Sequence, residues 1–456
     1  MAPEKRENCD GFSTGDVMTA APPATQAMEV TADSPLTMIG LICIKAGREA
    51  FRHEERANRS DRSHTMIHPL SDIVVLDLTH VLAGPYASMT LRDLGARVIK
   101  VERPGHGDDT RAFPPFKDGD SAYFATINHG KESIALDLRA EEDRGIFEQL
   151  LTQADVILEN FRPGVMERLG YGWEALHARF PKLVYGAVSG FGHTGPDRLR
   201  PAYDMVVQAR GGVMSITGER DREPVRVGAS IGDIAAGMFL CQGVLAALYA
   251  VRGGTPGQKV DIAMLDSQLA LLEHAVAITS VTGEAPRPSG ARHPSITPFE
   301  TFHASDGLFV IAAGNDTLFA TLCTALDLPL ATDARFASNQ ARCENARLLK
   351  RLIEAVTLDQ PASYWIDRLQ RAGVPTGPIQ SMAEVMRDPQ ILARNMLVDV
   401  CDQEGTPRFK AAGNPVKLSA LPDKTTRPPA PMLDEHRTQI LNWLGEIASG
   451  SPDNAT

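Results

Sequence analysis

Beyond about residue 70 the chain alternates short, β-branched apolar runs with stretches whose apolar positions recur every three to four residues. The first run, Ile73-Val74-Val75-Leu76, is followed by a helical pattern from Tyr86 to Leu94 and then by Arg97-Val98-Ile99-Lys100-Val101. This is one βαβ unit. Ser133–Leu138, Asp155–Glu159 and Leu183–Val188 repeat the strand signal, with helices expected near Glu142–Gln153 and Gly164–Leu169. Strands spaced by crossover helices predict an α/β fold with a doubly wound, parallel (Rossmann-like) sheet. Such a sheet takes its ligands at the carboxyl ends of the strands.

From Ile234 to Val251 nearly every residue is apolar, many of them small, so a buried helix is expected there, opened by Asp233 and ended by Gly253-Gly254. A strand (Val260–Met264) and a single apolar helix (Leu265–Ile278) should follow. A Pro-, Gly- and Arg-rich linker, Gly283–Pro298, leads to Phe309-Val-Ile-Ala-Ala and to helices around Leu318–Leu326 and Ala346–Ala355, the pattern of a smaller α/β domain. The expected division is therefore 66–280 for the first part of a large domain, 281–376 for linker and small domain, and 377–456 for a return to the large domain ending in a helix. Residues 1–65 differ in kind. Pro, Ala and Thr dominate early, and Arg48, Arg52, Arg56, Arg59 and Arg62 follow at helical spacing. Acidic residues from Glu4 to Asp33 argue against a transit peptide, and no signal-peptide core is convincing. The segment is expected to be a disordered or poorly docked extension, with Met66 as an alternative start.

Composition narrows the class. The 456 residues carry 46 Lys and Arg against 57 Asp and Glu, a net charge of −11, so no chain-wide basic field attracts nucleic acid. With 43% hydrophobic and 23% charged residues the chain reads as globular, and no apolar run is expected to reach the ~18–20 residues of a membrane-spanning helix. Cys9, Cys43, Cys241, Cys323, Cys343 and Cys401 form no close pair, which suits reduced, structural cysteines and a cytoplasmic location.

Candidate chemistry begins with exclusions. The first βα turn, Thr79-His80-Val81-Leu82-Ala83-Gly84-Pro85, is neither Gly-x-Gly-x-x-Gly nor a Walker loop, and no Cys/His cluster or paired-carboxylate spacing suggests a metal. Asp233 stands out: a lone carboxylate between Gly232 and a buried helix is either a helix cap or a nucleophile held ionised by the helix amides. Gly228 and Gly232 would clear the approach to a nucleophile. Two basic loops follow strands. Glu102-Arg103-Pro-Gly-His-Gly-Asp-Asp-Thr-Arg111 is either a phosphate-binding loop or a solvated turn, and Asn160-Phe161-Arg162-Pro163-Gly164 leads into a short helix carrying Arg168. Lys131, Arg139 and Arg200 add positive charge, and His80 sits at the ligand edge.

Val75-Leu-Asp-Leu-Thr-His-Val-Leu-Ala-Gly-Pro-Tyr86, Asp93-Leu-Gly-Ala-Arg-Val-Ile-Lys-Val-Glu-Arg-Pro104, Glu159-Asn-Phe-Arg-Pro-Gly164, Pro201-Ala-Tyr-Asp204 and Val227-Gly-Ala-Ser-Ile-Gly-Asp233 resemble the class III CoA-transferases (CaiB/BaiF type) over residues 70–443. The resemblance implies that Asp233 is the nucleophile, passing through anhydride and aspartyl-CoA thioester intermediates. Carried over by position, CoA would contact His80, Leu82, Ala83, Arg103, Leu136, Asp137, Leu138, Arg139, Asn160, Phe161, Arg162, Arg168, Arg200 and Tyr203. Formyl-CoA transferases have Gln where Leu82 stands and a glycine run where this chain has Gly290-Ala-Arg-His293-Pro, so Gly290 and His293 are the candidates for closing the site. Pro104–Arg111, Ile127–Ser133, Ser189–Pro196 and Asn315-Asp316 resemble the branch that moves CoA from acetyl-CoA to oxalate. Closely similar enzymes use succinyl-CoA and longer dicarboxylates. α-Methylacyl-CoA racemases share the fold but place His where Tyr203 stands, and Tyr, with an ordinary pKa of ~10, is a poor proton-transfer partner. The family further implies an interlocked homodimer, acyl-CoA and a small carboxylic acid as partners, no resident cofactor or metal, and neither nucleic acid nor membrane.

Overall fold

The computed structural model describes residues 68–449, so the extension and the alternative start at Met66 lie outside the described residues. Six strands, β1 (Val74–Asp77), β2 (Arg97–Glu102), β3 (Glu132–Ala135), β4 (Val156–Glu159), β5 (Val184–Ser189) and β6 (Lys259–Ala263), form one all-parallel sheet. Its order is β3-β2-β1-β4-β5-β6, the doubly wound arrangement whose direction reverses between β1 and β4. Alternation along the strands feeds two cores. On one face Val75, Val98, Val184 and Val188 pack with Ala87 and Leu91 of α1 (Ala83–Asp93). On the other, Leu76, Ile99, Ile134 and Ile157 meet Phe147, Leu150 and Leu151 of α2 (Glu141–Gln153) and Ile440 and Leu444 of the terminal helix Arg437–Ser449. Both faces are therefore apolar, as parallel sheets require.

α1 starts three residues earlier than the periodicity suggests, because Gly84-Pro85 falls in its first turn, where the N–H that Pro lacks has no helical partner. A short helix, α3 (Asp204–Arg210), precedes α4 (Ile231–Arg252). α4 corrects the expectation about apolar runs: at 22 residues, with a mean hydropathy of 1.9 over its most apolar window, it is long and apolar enough to span a bilayer. Leu240, Cys241, Val244 and Ala247 bury one side of it in the sheet core, which accounts for its composition. The expected helix Leu265–Ile278 is instead two, Met264–Ala270 and Glu273–Thr282, broken at Leu271-Leu272.

Phe299–Ala304, Gly307–Ala312 and Thr376–Pro378 make a three-stranded antiparallel sheet over a core of Phe302, Phe309, Phe319, Leu349 and Trp365. Its last strand straddles the expected boundary at residue 376. A third small sheet, Leu397–Cys401, Pro407–Ala412 and Thr426–Arg427, was not legible in the sequence.

Candidate active site

The carboxyl edge of β1 rests on buried charge. Lys131 Nζ reaches Asp77 Oδ2 at 2.9 Å, Ser88 Oγ at 2.8 Å and Asn128 Oδ1 at 2.8 Å. Lys100 Nζ pairs with Asp108 Oδ2 at 3.0 Å and donates to the Thr79 carbonyl at 2.7 Å. Glu102 takes Arg111 in a bidentate pair and accepts from Ser133 Oγ at 2.7 Å. Burial works to raise the Asp77 pKa, but Lys131, Lys100 and the hydroxyls of Ser88 and Thr79 hold it well below the carboxylate range. Burial pulls Lys131 down to about 8 against the opposing effect of Asp77. Lys131 is thus committed to the fold and contributes no spare charge to a ligand.

This network fixes the loops above it. Val81 has φ 66°, a left-handed conformation costly for a β-branched residue, by roughly 1–3 kcal/mol, and its N–H donates to Asp108 Oδ1 at 3.2 Å. Beside it, His80 N–H donates to Asn160 Oδ1 at 2.9 Å while Asn160 Nδ2 donates to the His80 carbonyl at 2.7 Å. The pair ties β1 to β4 at the point where the sheet reverses, and the His80 ring lies 5.7 Å from that of Phe161. His80, Leu82, Phe161 and Asn160 are therefore brought together at the expected edge. The Asn160 side chain, however, is used on His80 and is a bracket, leaving its backbone for a ligand. Ala83 and Leu136 are buried in the cores, so their side chains are likewise unavailable.

Arg103, Arg139, Arg162, Arg168 and Arg200 are exposed, and the first three follow the carboxyl ends of β2, β3 and β4. Arg103 pairs with Asp109 at 2.6 Å and Arg200 with Asp197 at 2.8 Å, exposed pairs weak enough to exchange for an anion. Asp137 Oδ1 accepts the Arg139 N–H at 3.0 Å, which makes it a turn residue, and Leu138 is half-buried. Tyr203 is 75% exposed at the start of α3. Gly290 N–H donates to the Gly218 carbonyl at 2.9 Å, and His293 stacks 6.0 Å from His274, seating that linker on its own chain.

Asp233 is the third residue of α4, and its carboxylate accepts no hydrogen bond among the described residues. The capping role belongs to Asp204, whose Oδ1 accepts the Gly232 N–H at 2.8 Å and whose Oδ2 accepts Gln208 Nε2 at 2.7 Å. That removes the cap reading of Asp233. It also revises Gly232, where a Cβ would meet Val207 at 2.7 Å, so the glycine serves helix packing, while Gly228 faces open space. A Cβ at Gly237 would lie 2.5 Å from the Ala83 carbonyl oxygen. Asp233, one helical turn before it on the same face, therefore stands next to the start of α1. Burial, then the nearby Asp204 carboxylate, raises the Asp233 pKa from 3.8 to about 7, in contrast to the expected helix-stabilised anion. Tyr123, which the sequence reading missed, faces the same pair: burial and then the Asp233 charge raise its pKa. Its only sequence signal was an isolated aromatic hydroxyl just inside a helix capped by Ser121.

An unpartnered carboxylate of raised pKa, a reversal in strand order and exposed arginines after the strand ends fit nucleophilic chemistry on a large anionic substrate. The family model for CoA-transferase family III matches residues 70–437. The chain belongs to this family. Among the similar proteins are an acetyl-CoA:oxalate CoA-transferase of Acetobacter aceti, 47% identical over 80% of this chain and 93% of that protein, and a succinyl-CoA:mesaconate CoA-transferase of Haloarcula hispanica, 42% identical over 82% and 96%. A crystal structure of a CaiB/BaiF family protein from Brucella suis superposes with a TM-score of 0.72 at 39% identity, covering 82% of this chain and 99% of that one. The class III CoA-transferase fold and enzyme class follow from these matches. Among the described residues no cluster of His, Cys, Asp or Glu could hold a metal ion.

Proposed function

We propose that this CoA-transferase carries CoA from acetyl-CoA to oxalate with Asp233 as nucleophile. The observation behind the mechanism is the uncapped, unpaired Asp233 carboxylate beside the start of α1. The carboxylate attacks the thioester carbonyl, the C–S bond breaks, and an aspartyl-acetyl anhydride and CoA thiolate result. The thiolate attacks the aspartyl carbonyl of the anhydride, releasing acetate and leaving aspartyl-CoA. Oxalate attacks this thioester and expels the thiolate. The thiolate then takes the oxalyl carbonyl of the second anhydride, giving oxalyl-CoA and the free Asp233 carboxylate. Thioester energy is conserved, so CoA is a substrate and no resident cofactor takes part.

The choice of acids rests on the Acetobacter aceti relative and on the motif blocks shared with that branch. A succinyl-CoA donor with a longer dicarboxylate is the second reading, supported by the Haloarcula hispanica relative. His80, Leu82 and Phe161 would line the pantetheine path, Arg103, Arg139, Arg162, Arg168 and Arg200 would take the phosphates, Tyr203 would flank Asp233, and the Gly290–His293 segment would close the site. The enzyme is incubated with acetyl-CoA or succinyl-CoA and with oxalate, mesaconate or glutarate, quenched early, and its peptides are weighed. CoA on the Asp233 peptide with oxalyl-CoA in solution is the expected outcome. Adduct and exchange confined to succinyl-CoA and a longer acid would replace the acid pair, and absence of any adduct would end the role of Asp233.

We also propose an interlocked cytoplasmic homodimer. Tyr203, Met205, Met238, Tyr249, Leu269 and Val281 are large apolar side chains left half or more exposed between residues 203 and 282, which supports a partner covering this part of the chain. Light scattering should give twice the chain mass, and a monomer at micromolar concentration would refute the assignment.

A further inference from the structure

At the far end of α1, roughly 15 Å from the Ala83 end by its 11-residue length, lies a cavity of about 100 Å³. Two guanidiniums line it. Arg92 donates Nε to the Gly130 carbonyl at 3.1 Å, and neither its Nη1 nor its Nη2 finds an acceptor among the described residues. Arg427, almost wholly buried, gives Nη2 to Asp93 Oδ2 at 3.1 Å and leaves Nε and Nη1 without acceptors there. The other oxygen of Asp93 is taken by His129 Nε2 at 2.9 Å. Burial holds His129 below its ordinary pKa, so the half-buried Arg92 and the buried Arg427 face the single carboxylate of Asp93. Lys417 and Asp423 at the rim cancel one another at 2.5 Å, and Lys424 adds a further positive charge. The unpaired guanidinium nitrogens stay open to solvent, where an anion can replace water on them.

Leu94, Val398, Leu418 and Leu421 give the same cavity an apolar patch beside the polar side chains of His68, Asn414 and Thr426. At about 10–15 Å³ per water-sized centre, a space of about 100 Å³ takes a group of no more than about ten heavy atoms. We propose that this cavity is a second acid-binding site, which holds a short-chain monocarboxylate of two to four carbons by its carboxylate on Arg92 and Arg427 with its carbon chain on the leucine wall. One carboxylate can take charge-assisted hydrogen bonds from both guanidiniums, and the leucines favour a ligand with hydrocarbon over inorganic phosphate. The site is separate from Asp233 and independent of which acids the enzyme exchanges.

Calorimetric titration with propionate, propionamide and inorganic phosphate at constant ionic strength tests it, on the full chain without CoA. Wild-type enzyme should bind propionate, and propionamide and phosphate should bind far more weakly. Arg92→Gln, which removes a charged donor pair, and Val416→Trp, which fills the cavity from a half-exposed position without touching the ion cluster, should each weaken propionate binding by ~10-fold or more. Thermal melts in buffer alone establish that both variants fold. Equal propionate affinity in wild type and both variants would place the acid elsewhere and overturn the proposal, as would tighter binding of phosphate or no binding of propionate at all.

Discussion

Asp233→Ala should reduce CoA transfer by about 10⁴-fold or more while leaving affinity for acyl-CoA nearly unchanged, because it removes the group that forms the covalent bonds and none that grips the cofactor-like part of the substrate. Steady-state rates with direct titration of CoA separate the two effects. A residual rate within tenfold of wild type would show that the carboxylate is not the nucleophile. The raised pKa sets a second readout. The attacking form is the anion, so with Asp233 at about 7 the wild-type kcat/KM for the donor should rise roughly tenfold per pH unit below neutrality and level off above it. The same shift has a stability sign. A carboxyl raised from 3.8 to about 7 in the fold favours the folded state fully below pH 3.8, and that contribution is lost as pH rises through about 7. Asp233→Ala should therefore melt higher than wild type at pH 8, the usual mark of a site held in a conformation that function requires.

Lys131→Met should cost about 3–5 kcal/mol, enough to consume much of the ~5–15 kcal/mol that stabilises a domain. Both Lys131 and Asp77 have fully buried side chains, so removing the ammonium leaves Asp77 without its closest cation and Asn128 Oδ1 without its donor, while Ser88 keeps its bond to Asp77. The double variant Asp77→Asn with Lys131→Met removes both charges and should recover part of the loss. Urea denaturation of the two variants measures this directly. A loss below about 1 kcal/mol in the single variant would mean that water replaces the lysine and that the network does not hold the β1 edge.

Local pattern gave the six strands to within a few residues, since their paired apolar faces are continuous in sequence. It failed where distant residues decide. Leu271-Leu272 breaks an apolar stretch that periodicity alone carries onward, and the sheet from Leu397 to Arg427 includes a two-residue strand too short to leave a pattern. α4 extends the expected Ile234–Val251 by Ile231–Asp233 and Arg252, and its Gly237 and Gly232 are the contacts that let α1 and α3 approach.

By itself the sequence determined the doubly wound sheet, the family and the singling out of Asp233, because periodicity and ordered motif blocks are local properties of the chain. Only the tertiary structure removed the cap reading. Asp204 lies 29 residues before Asp233 in the numbering, yet its oxygen occupies the helix amide that Asp233 would otherwise take, and its charge joins burial in raising the Asp233 pKa. The committed pairs of Lys100 and Lys131, and the bracket between His80 and Asn160, were equally invisible. Each joins segments that meet only in the folded sheet, where low dielectric makes an unpaired charge untenable and so commits these residues to the fold.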